Sequence, residues 1–372
     1  MIALANYLII AFLISMVIGA LAIPRIVDIA NRLHLYDQPD ARKVHKLPIP
    51  RLGGVAFIPA VIIAIAVISA FNERLGLMPL LQGITPQYYI AYLAGAMMLY
   101  TLGIYDDING VSYKIKFAVQ IFAAVLLCVS GLWIASLDNI FYIDRMPYWI
   151  GMPLTVLFVV YVTNAMNLID GIDGLASGLS FISFGVAIPL CIITENYLLA
   201  LLAMAYIGVL FAFFYYNVYG SKNKVFMGDA GSLTLGYTLS FVVLHFWQAT
   251  PVWDPHFHNI GIVILSTLII PILDVVRVMM SRLRDGRNPF LPDKNHIHHK
   301  LMRAGLSGRK TMVSILLLSA LIITINYLVA AYMSQTLIVL LDIVIYVLMH
   351  YIINIFIAKN EKKNGTIWDK CF

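Results

Sequence analysis

Apolar segments of bilayer length recur along this 372-residue chain, at about 3–23, 53–71, 88–104, 117–136, 149–163, 176–194, 197–218, 231–247, 259–281, 311–333 and 336–357. A helix needs about 20 apolar residues to cross the hydrocarbon core, fewer where the bilayer thins. Lipid offers backbone groups no hydrogen-bond partner, so segments of this kind must close their own hydrogen bonds as helices. The expected fold is an all-α polytopic membrane protein of about eleven transmembrane helices. It reads as one integral-membrane domain over 1–372, with a polar loop at 282–310 and a short tail at 358–372. Composition agrees: 61% of residues are hydrophobic and 12% charged, where a soluble domain carries about 25% charged residues. The first segment reads as a span and not as a cleaved leader, because no Lys or Arg precedes it and Arg25 follows it.

The placement of charge orients these helices. Of the 25 Lys and Arg, all but Arg74, Arg145 and Arg277 fall in alternate connections, at 24–52, 105–116, 219–230, 282–310 and the tail. Arg277 closes the ninth segment on the same side. Positive charge stays inside, which puts the N-terminus outside and the C-terminus in the cytoplasm. The net charge of +6 is thereby topogenic. No basic stripe with interleaved aromatics occurs, so no nucleic-acid partner is expected; the partner surface is the lipid bilayer. Cys128, Cys191 and Cys371 supply neither a disulfide framework nor a C-x-x-C metal pair.

Against this apolar background, polar clusters stand out on the basic side. Asn164 to Ala176 carries two acids, two amides and two glycines between two apolar runs. Charge and broken helix at membrane depth are tolerated only against protein or a water-filled cavity, so this stretch reads as the lip of a polar site. Asp170 and Asp173, three apart, share one face if the segment is helical, and with Asn164 and Asn167 they suit a hard cation and phosphates. Asp106-Asp107 ends the third segment, with Lys114 and Lys116 leading into the fourth; a solvated turn would explain the pair equally. Phe226-Met227-Gly228-Asp229-Ala230-Gly231-Ser232 opens the eighth helix, where Asp229 is either an N-cap or a cation ligand beside a stacked base. In the 282–310 loop, His296, His298 and His299 with Lys294, Lys300, Arg303 and Arg309 suit phosphate binding better than zinc, since no cysteine accompanies them. The inner loop from Asp37 to Gly54 offers Arg42, Lys43 and Arg51, as topogenic charge or as substrate contacts. Asp274 and Arg277 are spaced for an intrahelical ion pair of structural character, and His245, Asp342 and His350 read as packing residues.

Taken in order, these motifs resemble the polyprenyl-phosphate N-acetylhexosamine-1-phosphate transferases, most closely the bacterial GlcNAc-1-phosphate members, from about Asp37 to Arg309. The resemblance implies that Asp106 and Asp107 attend the lipid phosphate and that Lys116 holds phosphate. It implies that Asn167 and Asp229 meet Mg2+ (or Mn2+), with Asp170 and Asp173 lining the same pocket, and that Phe226 stacks on uracil. His296 to His299 resembles the His-x-His-His form of the GlcNAc-type members. Asn164, Arg303 and Arg51 complete the expected substrate contacts. Several relatives carry a third acid four residues after the first Asp, and Gly110 stands at that place here.

The reaction so implied transfers a sugar 1-phosphate from a UDP-N-acetyl sugar to undecaprenyl phosphate and releases UMP, as the first membrane step of a cell-envelope polysaccharide. The attacking phosphate, with a second pKa of about 6, is mostly dianionic at neutral pH, so Asp106 and Asp107 are expected to position it and not to form a covalent intermediate. UDP-GlcNAc is the expected donor; UDP-GalNAc, UDP-FucNAc and UDP-QuiNAc are alternatives. A bacterial cytoplasmic-membrane location follows, and a homodimer is compatible with it. A secondary transporter is the rival from another class, but no inverted repeat is visible and the acids gather at one membrane boundary. A non-catalytic binder of lipid-linked sugars is opposed by the intact set of acids.

Overall fold

The computed structural model describes residues 2–37, 48–75, 85–137, 140, 143, 145–248, 260–288 and 295–364. The chain folds as α1 (Ile2–Arg32), α2 (Phe57–Leu75), α3 (Pro86–Asn109), α4 (Tyr113–Val129), α5 (Tyr148–Ile169), α6 (Leu175–Ile193), α7 (Tyr197–Phe214), α8 (Gly228–Gln248), α9 (Ile260–Ser266), α10 (Ile269–Arg284), α11 (Ile297–Arg303), α12 (Gly308–Val329) and α13 (Gln335–Asn364). Among the described residues the one sheet is a two-residue antiparallel pairing of Tyr36–Asp37 with Ile49–Pro50. Arg42 and Lys43, and Lys294 in the later loop, lie outside the described residues.

Nine of these helices are long and apolar enough to cross a membrane, and ten if the bent pair α9–α10 is one span. This establishes a polytopic all-α membrane protein, against an expectation of eleven spans. The difference lies partly in α4, whose 17 residues sit at the short end of the spanning range. It stops before Gly131, whose φ of +103° is left-handed, and so leaves the rest of the 117–136 segment outside the helix. The ninth segment breaks by 63° between Ser266 and Ile269. Pro271 explains the position, since it lacks an N–H for the Thr267 carbonyl and its ring crowds that oxygen. The Ser266 and Thr267 hydroxyls satisfy the freed carbonyls of Val263 and Ile264, each at 2.7 Å.

The centre of the molecule is α8. Of its most apolar window 89% is buried, against 28% for α13, so α8 meets protein on all sides while α13 faces lipid along much of its length. Small residues permit that enclosure, as they do wherever membrane helices approach closely. A Cβ on Gly236 would lie 2.6 Å from Thr163 Cα on α5, and one on Gly103 of α3 would lie 2.4 Å from Ala230 Cα. Deeper in the core, the hydroxyls of Tyr92, Tyr206 and Thr238 bond one another at 3.0–3.1 Å, so polar groups far from water remain satisfied. Ile9, Leu13, Val17 and Leu21 on α1 are exposed, an apolar face suited to lipid.

Candidate active site

Most of the acids that the sequence singles out, with Asn167, Lys116 and Phe226, converge on the start of α8. The strand-like run from Pro50 to Gly54 pairs with the approach to that helix: Phe226 N–H donates to Pro50 O at 2.8 Å, Gly53 N–H to Phe226 O at 2.9 Å, and Gly54 N–H to Met227 O at 2.8 Å. Gly228 then turns the chain with φ +71°. No side chain fits there, since a Cβ would stand 1.9 Å from Arg51 O and 2.4 Å from Asp107 Oδ2. Asp107 reaches across from the end of α3 and accepts the first-turn N–H groups of Asp229 (3.0 Å) and Ala230 (3.2 Å). It thus caps α8 from another helix, satisfying donors that have no intrahelical partner and opposing the positive end of the dipole.

Asp106, its neighbour, points elsewhere. One oxygen accepts from Val111 N at 2.7 Å, and the other meets Lys116 Nζ at 2.7 Å. The same ammonium meets Asp229 Oδ2 at 2.7 Å, so Lys116 bridges two acids. Asn167 Nδ2 donates to Asp229 Oδ1 at 2.9 Å and to Ser232 Oγ at 2.8 Å. Asp106, Asp107 and Asp229 bring one carboxylate oxygen each to within 4.8 Å of one another. An all-oxygen, anionic donor set of this kind fits a hard divalent cation. Asn167 turns its amino group toward Asp229, which leaves its carbonyl oxygen as the atom able to join such a set.

Between α5 and α6 the chain makes a turn, not the continuous helix that would set Asp170 and Asp173 on one face. Asp170 terminates α5, and Gly174, at φ +77°, begins α6; the left-handed glycine forces the break. Asn217 holds the turn, accepting from Gly174 N at 2.6 Å and donating to Val225 O at 2.9 Å. Lys224 meets Asp173 Oδ2 at 2.6 Å and Asn217 O at 2.9 Å. Asp170, by contrast, has no hydrogen-bond partner among the described residues. Burial, and then the charges of Asp173, Asp229 and Asp107, hold its pKa well above the usual carboxylate range.

These pieces enclose a cavity of about 570 Å³ whose lining includes Arg51, Asp107, Asn167, Asp170, Asp173, Phe226 and Asp229. His299 reaches it from α11, and Arg309 from the start of α12. Asp106 and Lys116 stand behind this wall, joined to it through Asp229. The other expected contacts are placed differently. Asn164 donates to Gln120 Oε1 at 2.6 Å and to Val160 O at 2.7 Å, tying α5 to α4. His296 meets Asp274 at 2.8 Å. His298 is buried, and neither ring nitrogen has a hydrogen-bond partner among the described residues; burial, aided by His299 and His296, pushes its pKa down to about 3. Arg303 pairs with Glu361 of α13 at 2.6 Å. None of these four lines the cavity. Conversely, Asn217, Lys224 and Ser232 line it without having been expected as site residues. The legible signal for Asn217 was a lone amide ending an apolar run, and for Lys224 its place two residues before Phe226.

Residues 89–246 match the family described as Glycosyl transferase family 4. The chain is 33% identical over 313 residues to a Bacillus subtilis protein named probable undecaprenyl-phosphate N-acetylglucosaminyl 1-phosphate transferase, covering 84% of this chain and 82% of that one. It is 35% identical over 305 residues to the undecaprenyl-phosphate alpha-N-acetylglucosaminyl 1-phosphate transferase of Yersinia pestis, covering 80% and 78%. The Escherichia coli K12 protein of the same name is 33% identical over 307 residues, covering 81% and 78%. A cluster of acids at the mouth of a polytopic helix bundle, together with this similarity over most of the chain, makes the protein a member of glycosyl transferase family 4, a membrane phosphoglycosyltransferase.

Proposed function

We propose that this protein transfers N-acetylglucosamine 1-phosphate from UDP-GlcNAc to undecaprenyl phosphate, releasing UMP and leaving undecaprenyl-diphospho-GlcNAc in the bacterial cytoplasmic membrane. The observation that carries the reading is one cavity where the acids Asp107, Asp170 and Asp229 face the aromatic Phe226 and the basic Arg51, His299 and Arg309. Such a site can bind a base, a diphosphate and a sugar together, and the relatives' names supply the acceptor, undecaprenyl phosphate, and the transferred group, N-acetylglucosaminyl 1-phosphate.

Asp229 and the Asn167 carbonyl, with Asp170 beside them, would hold Mg2+, which would offset charge on the diphosphate and improve UMP as a leaving group. The chain's own residues do the remaining work. Phe226 offers a face to uracil. Lys116 offsets part of the charge of Asp106 and Asp229, which it bridges, and would meet a phosphoryl oxygen drawn into the cluster. Asp107 keeps the first turn of α8 in place, so its N–H groups and Asp229 keep their aim during the displacement. The acceptor phosphate arrives mostly dianionic, and no side chain needs to act as a strong base.

The test is UMP release by purified protein in detergent with Mg2+, undecaprenyl phosphate and UDP-GlcNAc, each omitted in turn. Release that requires all three is the expected outcome. Release with UDP-GalNAc, UDP-FucNAc or UDP-QuiNAc but not with UDP-GlcNAc would reassign the donor, and silence with every donor would refute the reaction.

A further inference from the structure

We infer that Asp274, with Arg277, Tyr346 and His296, forms a positioning network that fixes α11 and thereby sets the wall against which the nucleotide sugar binds. The inference rests on the reading of the cavity as the donor site. Asp274 is fully buried and is not part of the lining of the donor cavity, and four donors converge on it from three helices. Arg277 Nη2 lies at 2.9 Å on the same helix. From the start of α11, His296 Nδ1 lies at 2.8 Å and Ile297 N at 3.0 Å, and from α13 Tyr346 Oη donates at 3.1 Å. Arg277 also donates to the carbonyl of Asn295, one residue before. Arg277, Ile297 N and Tyr346 share Oδ1 while His296 takes Oδ2, so both oxygens of this buried carboxylate are held, together from more than one helix, and its geometry is correspondingly fixed.

What this anchor holds makes it more than a bolt between helices. At seven residues, α11 is too short to order itself, so its ends decide its orientation. Asp274 secures the first end. Arg303 secures the other through Glu361 at 2.6 Å, with Asn360 donating to Arg303 O at 3.0 Å. Between them the His296 ring lies parallel to that of His298, 4° apart with centroids at 5.9 Å. His298 in turn presses on Gly171 of the Asp170–Gly174 turn, where a Cβ would stand 2.4 Å from its Nε2. The next residue, His299, reaches the cavity, as does Gly171 itself. Contact therefore runs from Asp274 through His296 and His298 to two points on the cavity wall.

The test is steady-state UMP release by the full-length protein, titrating the UDP-sugar and undecaprenyl phosphate separately, for Tyr346→Phe, Gly171→Ala and the double variant. Asp342→Asn is the control: it alters a buried carboxylate one turn from Tyr346 on α13, hydrogen-bonded among the described residues to Asn326 alone, without touching α11. Tyr346→Phe is expected to raise KM for the UDP-sugar about tenfold, the scale of one hydrogen bond to a charged group. KM for undecaprenyl phosphate and the melting temperature in detergent should hold. Gly171→Ala should act in the same direction, and the double variant by less than the product of the two, as expected for residues in one chain of contacts. A loss confined to kcat or to the amount of folded protein, with KM for the UDP-sugar unchanged, would overturn the inference while leaving the donor site intact. So would an equal rise in Asp342→Asn. Wild-type protein that releases no UMP from any UDP-N-acetyl sugar would overturn the donor site and this inference together.

Discussion

Single carboxylates at this site differ in role because they differ in partners. Asp229 is bound by Lys116 and Asn167, and Asp107 by two backbone amides, whereas Asp170 faces the cavity without a hydrogen bond among the described residues. Asp229→Asn and Asp170→Asn are expected to lower UMP release by at least about 100-fold, the scale on which supports of a metal site act, with melting temperature near that of the wild type. Full turnover in either would remove that acid from the cation site. His298 makes a prediction about pH. The folded protein keeps it neutral, with a pKa near 3, while the unfolded chain takes a proton near 6.5. Its contribution to stability is thus complete above pH 6.5 and is lost as pH falls toward 3, by about 1.4 kcal/mol per pH unit. Asp170 works in the opposite sense, because its raised pKa favours protonation in the folded state. The difference between wild type and His298→Gln isolates the histidine: below pH 6.5 the wild-type melting temperature should fall more steeply than the variant's.

At the scale of elements, close approach between helices is what aims the acids. The Asp107 cap on α8 exists only because Gly103 lets α3 reach Ala230. Gly103→Ala is expected to destabilise by about 1–3 kcal/mol through overpacking and to reduce UMP release by moving Asp107 off the first turn. Gly110→Ala offers the contrast. It has φ +74° with ψ 140°, outside the left-handed helical well, but nothing within 4 Å of a new Cβ, so it should cost only the backbone strain of about 1–3 kcal/mol. Thermal unfolding in detergent, run beside the UMP assay, separates the two: activity per folded molecule should drop in Gly103→Ala alone.

Across the whole molecule, the acids of the cavity share one end of the bundle with Arg51, Lys224, Arg309 and the histidine helix, and the positive-inside rule leads us to expect that end in the cytoplasm. That assignment is testable by labelling single cysteines in a Cys371→Ser background, where Cys128 and Cys191 are buried. Glu195→Cys, in the exposed turn between α6 and α7, should react with an impermeant thiol reagent in intact cells. Ser221→Cys, in the exposed loop before α8, should react only after the membrane is opened. The reverse pattern would invert the topology and place the cavity outside, away from cytoplasmic nucleotide sugars.

Hydropathy sufficed to identify the membrane class and most of the long helices, because apolar length and the lack of partners for backbone groups in lipid are properties of the chain alone; the break of the ninth segment and the short α11 were not legible in it. Order and chemistry of the motifs likewise marked Asp107, Asn167, Asp170, Asp173, Phe226, Asp229, Arg51 and His299, all of which reach one cavity. Sequence spacing could not say which of several polar residues face inward, since that depends on the rotation of each helix and on its neighbours. It therefore did not separate His299 from His296 and His298, or Asn164 from Asn167, and it took Arg303 for a substrate contact where the fold pairs it with Glu361. Nor could it read Asp274 as more than an intrahelical partner of Arg277. The donors that converge on that carboxylate from α11 and α13 lie 22 to 72 residues away in the chain, and only packing brings them together.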